Sequence, residues 1–276
     1  MIFLKLGGSL ITDKTRNETV RGEVLTRLAR ELQRALVTIE TPIVVGHGSG
    51  SFGHTAAKLY GTRDGVDSAD GWRGFAHVSV AAARLNRLVA DALHRAGVPV
   101  IAVQPSAGLR CVDGRIVSLE TVPIKQALAH GLCPLVMGDV AWDDVRGGTI
   151  VSTEELFSFL ANHLPVSRVL LAGETEGVLL TNSHSQTQVG EVHSNQQGDA
   201  GAIIARITEA NWEAVKTGVG GSRGADVTGG MASKVADMLA MVRAHRGIEV
   251  SIFSGLIPDN LERAIAGELL GTTISG

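Results

Sequence analysis

Three glycine-rich segments, two of which contain a lysine, are the parts of this chain that could most directly do chemistry. The first is Lys5-Leu6-Gly7-Gly8-Ser9, the second is Gly46–His54, and the third runs from Asp226 to Lys234. Paired glycines let backbone N–H groups approach an anion closely, and a lysine ammonium is a compact charge that can reach a single phosphate oxygen. Only six of the 25 basic residues are lysines, so lysines beside glycines stand out. The pattern predicts three anion-binding segments.

The second segment has the densest glycine pattern. Glycines stand at positions 46, 48, 50 and 53, and packing alone does not explain them, because each glycine loses extra entropy on folding. We interpret the segment as a phosphate-binding loop in which His54 donates to phosphate, with a core histidine as the alternative; His47 is interpreted as structural. The segment also fits the dinucleotide fingerprint, but that site needs an acidic residue after a second strand about 20 residues on, and no strand precedes Asp67 or Asp70.

The first and third segments each have a simpler alternative. The first follows a predicted strand, at the end where open α/β sheets bind ligands, but it could be an ordinary tight turn. In the third, Lys234 lies four residues after Gly230, one turn into a predicted helix. The helix N-terminus and the lysine would then point at the same anion. An ordinary capped helix with an exposed lysine is the alternative.

Several other motifs lack the context that their chemistry needs. No Gly-Lys dipeptide occurs, which excludes a P-loop. Gly220-x-Ser222-x-Gly224 matches a hydrolase elbow without a convincing strand before it or a helix directly after it. Cys111 and Cys133 follow no metal or redox spacing. Gly138-Asp139 follows a predicted strand, and Asp139 could hold Mg²⁺ or a lysine, or could cap a turn.

The composition excludes further classes of protein. Glycine makes up 34 of 276 residues without a three-residue period, and 44% of residues are hydrophobic, so neither collagen nor a disordered chain fits. A net charge of −3 and 4% aromatic residues argue against nucleic-acid binding. Neither a membrane-spanning apolar run nor a signal peptide is predicted. We expect a cytoplasmic protein with no nucleic-acid or membrane partner.

Apolar runs that alternate with helical patterns supply the elements that must position these segments. Such alternation predicts an α/β fold, with a mostly parallel sheet and helices on both faces. Strands are expected at 2–6, 43–45, 98–103, 135–137, 169–172 and 249–253, and helices at 24–39, 55–59, 75–96, 121–130, 154–163, 231–244 and 259–267. Two glycine-turn stretches, 108–117 and 142–151, predict added hairpins. The polar stretch Ser183–Asp199 is expected at the surface, and a boundary is expected near residue 165.

Three anion-binding segments with Lys5, Lys14 and Lys234 beside them suggest that two phosphorylated ligands are brought together. Phosphoryl transfer requires mainly such positioning and charge stabilisation. No general base accompanies the lysines. A nucleophile that is already anionic, such as a phosphomonoester with a second pKa near 6, would not need one.

Together these residues resemble the amino acid kinase superfamily, and within it the kinases that act on isopentenyl phosphate. The resemblance runs from Lys5-Leu6-Gly7-Gly8-Ser9 to Gly271–Ile274, and its specific marks are Lys14 after Ile11-Thr12-Asp13 and the loop ending in Gly50-Ser51-Phe52-Gly53-His54. It implies an αβα sandwich, a homodimer, Mg²⁺ and ATP as cofactors, and a small phosphate as the acceptor. Residues 1–165 would form the acceptor half and residues 166–276 the ATP half.

The resemblance also implies roles for single residues. The expected catalytic residues are Lys5, Lys14, His54 and Lys234. The acceptor phosphate would be bound by Gly48, Ser49, Gly50, Gly53, His54 and Asp139. ATP would be bound by Lys5, Gly7, Gly8, Ser9, Gly173, Thr228, Gly229, Gly230 and Lys234. No direct metal ligand is predicted.

The sequence departs from the family pattern at a few positions. Ser152-Thr153-Glu154 replaces the usual Ser-Gly-Asp, Glu174 and Glu176 stand where relatives often have Asp, and the loop reads Gly48-Ser49-Gly50 instead of three glycines. Two other functions stay open: a kinase for another small anion, such as fosfomycin, a carboxylate or a nucleoside monophosphate, and a non-catalytic nucleotide-binding or storage protein. The apolar wall of an acceptor pocket is expected on helix Phe75–Ala82.

Overall fold

A mostly parallel eight-stranded sheet forms the middle layer of the protein, in a computed structural model that describes residues 1–180, 192–194, 202–219 and 230–276. The strands are β1 (Ile2–Leu6), β2 (Ile43–His47), β3 (Val100–Ala102), β4 (Arg110–Val112), β5 (Arg115–Ser118), β6 (Cys133–Met137), β7 (Asp139–Asp143), β8 (Gly147–Val151), β9 (Arg168–Gly173), β10 (Leu179–Leu180), β11 (Val192–Ser194), β12 (Ala202–Ile204), β13 (Arg206–Ile207), β14 (Glu249–Ser254) and β15 (Thr272–Ile274). The order in the main sheet is β13-β15-β14-β9-β1-β2-β6-β3, and only the β14–β15 pairing is antiparallel.

Helices cover both faces of this sheet. They are α1 (Gly8–Ile11), α2 (Gly22–Thr38), α3 (Gly50–Tyr60), α4 (Ala69–Arg95), α5 (Val122–Ala129), α6 (Thr153–Ala161), α7 (Glu209–Val215), α8 (Gly230–Ala244) and α9 (Asn260–Ala266). Within the described ranges, none of these helices is both long and apolar enough to span a membrane.

Strand alternation produces the two cores of the sandwich. Leu4 and Val45 pack with apolar residues of α2, α4 and α9 on one face, whereas Phe3 and Val44 pack with α5, α6 and α8 on the other. Successive strand residues point to opposite faces, so a continuously apolar strand is buried on both sides. The predicted αβα sandwich with a mostly parallel sheet is confirmed. The predicted hairpins are present as well: β4 with β5, and β7 with β8, in a four-stranded sheet.

The central strand β1 lies between β2 and β9, and all three run parallel. Their carboxyl ends therefore meet at one edge of the sheet. A glycine stands at the end of each strand: Gly7 and Gly48 directly follow β1 and β2, and Gly173 is the last residue of β9. This edge brings together segments that are far apart in sequence.

Two helices, α3 and α4, begin five or six residues earlier than the sequence pattern predicts. Helix α4 begins at Ala69 instead of Phe75, because the side chain of Ser68 accepts a hydrogen bond from the amide of Gly71 (3.1 Å) and caps the helix. Gly74 made this first part of α4 look like a loop in the sequence, but the helix needs a glycine there. A Cβ at position 74 would overlap the Tyr60 ring, lying 2.7 Å from its Cδ1 and closer still to Cγ. Helix α3 begins inside the glycine segment, at Gly50.

Candidate active site

Lys5 and Glu154 form a buried ion pair at the carboxyl edge of the sheet. Lys5 is the fourth residue of β1, and its Nζ contacts Oε1 of Glu154 in the first turn of α6. Only 9% of Lys5 and 5% of Glu154 are exposed. A buried carboxylate is stable when a cation compensates for its charge. The pair therefore fixes a positive group at the end of β1.

Lys234, from the C-terminal half of the chain, also interacts electrostatically with Glu154. It lies in the first turns of α8. Burial alone would raise the pKa of Glu154, but the charge and hydrogen bond of Lys5, together with the charge of Lys234, hold that pKa below its usual value. Glu154 is therefore ionised at neutral pH and connects Lys5 electrostatically with Lys234. The sequence pattern left the role of Glu154 open, because relatives usually have Asp there.

A capping box holds Glu154 in place. The amide of Glu155 donates to Ser152 Oγ (3.1 Å), and the amide of Ser152 donates to Glu155 Oε2 (2.6 Å). Thr153 Oγ1 donates to the backbone oxygen of His47 (2.7 Å), which ties α6 to the end of β2. The motif Ser-x-x-Glu was a readable signal for this helix start. The sequence did not show that this helix start places Glu154 next to Lys5.

The first two glycine segments touch each other through their backbones. The amide of Gly48 donates to the oxygen of Leu6 (3.0 Å), and a Cβ at Gly48 would lie 2.8 Å from the Gly8 nitrogen and 3.8 Å from Cε of Lys5. A Cβ at Gly8 would lie 2.8 Å from Cα of Gly50. Helices α1 and α3 thus begin side by side, at Gly8 and Gly50. Helix N-termini have amide groups with no partner inside the helix, and anions bind to such groups.

Thr12 and Ser51 fasten these two helix starts together. Thr12 Oγ1 donates to the oxygen of Gly8 (2.7 Å) and accepts from the amide of Ser51 (2.9 Å). Gly50 has a φ of +51°, and a Cβ there would lie 2.6 Å from the oxygen of Gly8. A side chain at position 50 would therefore separate the segments. The sequence pattern assigned Gly50 to the site, whereas it quoted Thr12 and Ser51 only as parts of motifs and gave them no role.

The other predicted phosphate-binding residues lie around this edge. Ser9 is in α1, Ser49 is the residue before α3, and Gly53 is in its first turn, where a Cβ would lie 2.6 Å from that of Ser49. Gly173 ends β9, and its oxygen accepts from the amide of Gly255 (2.8 Å). Among the described residues, no atom lies within 4 Å of a Cβ placed at Gly173.

Some predicted residues lie outside the described part of the chain. Thr228 and Gly229 are among them, as are Ser222 and most of the polar stretch 183–199. His54 lies in α3, but its side chain is outside the described atoms. Gly230 is described, as the first residue of α8 with a φ of +73°.

Lys14 lies in an exposed turn between α1 and α2. The amide of Asp13 donates to the oxygen of Thr19 (2.8 Å) and closes the turn, and the amide of Thr19 donates to Ser51 Oγ (3.2 Å). The turn is thereby attached to α3, next to the glycine segment. Farther along, Arg21 pairs with Glu174 beyond β9 (2.8 Å).

His47 is buried behind the site. Burial lowers its pKa to about 4, an effect that the charge of Lys5 adds to and the hydrogen bond with Gly48 opposes. The ring is therefore neutral at pH 7. We assign Nδ1–H as donor to the oxygen of Gly48 (3.1 Å) and Nε2 as acceptor from Asn86 Nδ2 (3.0 Å). This position fits the predicted structural role.

Asp139 is buried, and its carboxylate faces backbone amides. It accepts hydrogen bonds from Ser106 (3.2 Å) and from Val140 (2.8 Å). Burial raises its pKa, although these hydrogen bonds oppose the shift. Asp139 thus fastens the turn Pro105–Ala107 to β7, and binding of the acceptor by this residue stays a prediction.

A small apolar cluster lies on the inner side of α4. Phe75 and Val78 of α4 pack with Val66 and with Val140 and Ile150 of the β7–β8 hairpin. This cluster lies on the helix that the sequence pattern predicted as a wall of the acceptor pocket. Phe75 also contacts the partly exposed Trp72 and Trp142, with ring centroids 5.3 and 5.2 Å away.

Comparisons with known proteins identify one family and several full-length relatives. The profile of the Amino acid kinase family matches residues 1–254. The chain is 32% identical to the isopentenyl phosphate kinase of Methanothermobacter thermautotrophicus and 36% identical to that of Haloferax volcanii. Each alignment covers 100% of this chain and 99% of the relative.

A solved structure shares the architecture over its full length. It is described as one of the X-ray structures of isopentenyl phosphate kinase, and it superposes with a TM-score of 0.79 at 29% identity, covering 100% of both chains. The same elements therefore recur in the same arrangement in that protein.

Proposed function

Because the chain belongs to the amino acid kinase family, we propose that it is a kinase that transfers the γ-phosphoryl group of ATP to isopentenyl phosphate. An oxygen of the acceptor phosphate forms the new bond to the γ-phosphorus, and the bond from that phosphorus to the β–γ bridging oxygen breaks. The products are isopentenyl diphosphate and ADP. The acceptor is mostly dianionic at pH 7, so its nucleophilic oxygen needs no general base.

One observation carries the proposal: buried Glu154 interacts with Lys5 from the N-terminal half and with Lys234 from the C-terminal half. Two lysines held near one carboxylate can stabilise the charge of a phosphoryl group in transit between two phosphate ligands. The full-length similarity to isopentenyl phosphate kinases supports the choice of acceptor.

The acceptor phosphate is assigned to the N-terminal half. Backbone amides of Gly48, Ser49, Gly50 and Gly53 would bind it, and His54 would donate to an acceptor or transferring oxygen. Lys5 and Lys14 would neutralise the transferring group. The isopentenyl tail would lie on the α4 side of the site, where Phe75 and Val78 pack with the β7–β8 hairpin in a buried apolar cluster. Asp139 would act on this half indirectly, through the turn that it fastens.

ATP is assigned to the C-terminal half, with Gly7, Gly8 and Ser9 extending the site across β1. Gly173 at the end of β9, Thr228, Gly229, Gly230 and Lys234 would bind its phosphates. Mg²⁺ would arrive with ATP as part of the substrate, because it binds phosphate oxygens and keeps several waters. Its contribution is to neutralise charge on the β- and γ-phosphates.

A coupled ADP-release assay tests the proposal. Purified protein with Mg·ATP should release ADP rapidly with isopentenyl phosphate, and more slowly with dimethylallyl phosphate or fosfomycin. His54→Ala and Lys14→Ala should lose most of this activity. Lys125→Ala is the matched control, because Lys125 is an exposed residue of α5 to which no site role is assigned.

The alternatives give different results. Faster turnover with fosfomycin or another small anion would reassign the acceptor. ATP binding without ADP release for any acceptor would indicate a non-catalytic nucleotide-binding protein. Wild-type turnover by His54→Ala would remove His54 from the mechanism.

We also propose that the protein is a homodimer that acts in the cytoplasm, where ATP is available. Support for the dimer comes from the family resemblance and from β3, an edge strand of the main sheet in which Ile101 is 43% exposed. An exposed apolar edge strand can pair with another chain. Light scattering should therefore give twice the chain mass of 28.8 kDa, and Ile101→Lys should shift the protein towards monomer.

A further inference from the structure

The turn that carries Lys14 is attached to the rest of the protein at two places. The first is α3: the amide of Thr19 donates to Ser51 Oγ (3.2 Å), and the amide of Glu18 donates to the oxygen of Ser51 (3.4 Å). The second is α4: the carboxylate of Glu18 pairs with the guanidinium of Arg84. Glu18 takes part in both attachments, one through its backbone and one through its side chain.

Glu18 has an uncommon backbone conformation for its residue type. Its φ is +45°, in the left-handed region that non-glycine residues rarely adopt. Such a conformation persists where surrounding contacts determine it, and it is enriched near functional sites. At Glu18 those contacts are the hydrogen bond to Ser51 and the ion pair with Arg84.

Basic side chains of α4 lie close to Glu18. Arg73, His77 and Arg84 lie along one face of α4 and line a shallow groove together with Ala76, Val80, Ala81 and Glu18. Glu18 is the acidic residue in this lining. The pair is partly exposed, with 24% of the Glu18 side chain and 53% of the Arg84 side chain accessible, so salt should weaken it.

We propose that Glu18 is a positioning residue that, through Arg84, holds the Lys14 turn against α4 in the place from which Lys14 reaches the transferring phosphoryl group. This inference rests on the proposed function for its effect on catalysis. It needs no contact between Glu18 and a substrate. Phosphoryl transfer depends on positioning, so a small displacement of Lys14 lowers the rate.

Steady-state kinetics of the full chain give the first test. Glu18→Gln and Arg84→Gln should each lower kcat about two- to five-fold at low ionic strength, the range expected for a partly exposed ion pair, and leave KM for ATP unchanged. The double variant E18R/R84E restores an ion pair with the charges exchanged and should recover activity over either single change. In about 0.5 M KCl the difference between Glu18→Gln and wild type should shrink, because the Debye length falls below about 5 Å.

Arg87→Gln is the matched control. It breaks the Arg87–Asp91 pair on the same helix (3.1 Å), which lies outside the Lys14 turn, so kcat should stay at the wild-type value. Hydrogen exchange provides a readout that is independent of the kinase assay. Amides of residues 13–19 should exchange faster in Glu18→Gln and Arg84→Gln than in wild type or Arg87→Gln.

Three results would overturn the proposal: unchanged exchange of residues 13–19, faster exchange without a loss of kcat, or E18R/R84E no better than the single variants. If wild type showed no turnover with isopentenyl phosphate, the proposed function would fail. The exchange data would still decide whether Glu18 holds the turn.

Discussion

Glu154 is a carboxylate in a place where burial penalises its charge, and the charge of Lys5 compensates for that penalty. A shorter Asp would leave the carboxylate about one methylene farther from Lys5, unless α6 moved. Here the capping box and the Thr153 hydrogen bond to His47 fix the start of α6. The longer side chain therefore lets Glu154 reach Lys5 from this helix position.

Removing the charge of Glu154 should impair catalysis and also lower stability, because breaking a buried ion pair is destabilising. In Glu154→Gln, Lys5 loses its ionic partner, and we expect kcat to fall by about 10- to 100-fold because both lysines shift from their productive positions. Glu154→Asp keeps the charge and should retain more activity than Glu154→Gln. The coupled ADP assay measures both, with melting temperatures as a check on folding. Equal activity of Glu154→Gln and wild type would contradict this role.

His47 makes stability depend on pH in a defined window. Its pKa of about 4 in the folded protein lies below the usual value near 6.5 in an unfolded chain. The unfolded state therefore binds the proton first, and stability is lost as pH falls from about 6.5 to about 4. The contribution is roughly 3 kcal/mol by linkage.

The measurement is the free energy of unfolding in urea at pH 7 and pH 5. Wild type should lose more stability between these values than His47→Gln, which lacks the titrating ring. His94→Gln should follow wild type, because His94 is exposed at the end of α4. Parallel pH profiles for wild type and His47→Gln would show that burial of the ring does not control this dependence.

At the scale of elements, the sequence pattern predicted strands well where both faces are buried. Strand β1 has the predicted bounds, Ile2–Leu6, because five consecutive apolar or long side chains fill both faces of a central strand. The sequence pattern also predicted both ends of α8 and of α9 to within one residue of their observed positions. It missed the start of α4 because Gly71 and Gly74 look like loop residues, whereas Gly74 is needed for the close packing of Tyr60.

The sequence pattern identified the glycine segments but not their contact. Gly8 and Gly48 are 40 positions apart, and their approach depends on the register of β1 with β2, in which Leu6 pairs with His47. Lys5 and Glu154 come together for a similar reason, since α6 must begin beside the end of β2. Residue types indicate phosphate chemistry, but only the tertiary arrangement determines which residues share one site.

Because the two glycine segments are in contact, adding one methyl group at position 48 should strongly lower both activity and stability. In Gly48→Ala the new Cβ would lie 2.8 Å from the Gly8 nitrogen, so one segment must shift. We expect at least a tenfold loss of kcat/KM and a destabilisation of about 1–3 kcal/mol, the usual cost of overpacking.

Gly22→Ala is the control for this prediction. Gly22 begins α2 and has nothing within 4 Å of its Cβ direction, so alanine should keep activity and leave stability unchanged or raise it by up to about 1 kcal/mol. Activity and thermal denaturation of both variants check the pair. A Gly48→Ala enzyme as active as Gly22→Ala would mean that the close approach is not needed for catalysis.

At the scale of the whole molecule, the proposed halves meet in the middle of one sheet. Strands β3, β6, β2 and β1 come from residues 1–165, and β9, β14, β15 and β13 come from residues 166–276. The boundary thus falls between β1 and β9, which pair along five positions. A rigid sheet that crosses the boundary would hold both ligands in fixed relation, with their phosphates at its carboxyl edge.

This division predicts that single substitutions separate the two ligands. Each ligand alone should raise the melting temperature, because it binds the folded state. Lys234→Ala should reduce the rise caused by Mg·ATP at least by half and keep the rise caused by isopentenyl phosphate, whereas His54→Ala should do the reverse. Lys216→Ala is the control, since Lys216 pairs with Glu213 on the surface beside α7. If Lys234→Ala and His54→Ala reduced both rises equally, the ligands would not bind to separate halves of the sheet.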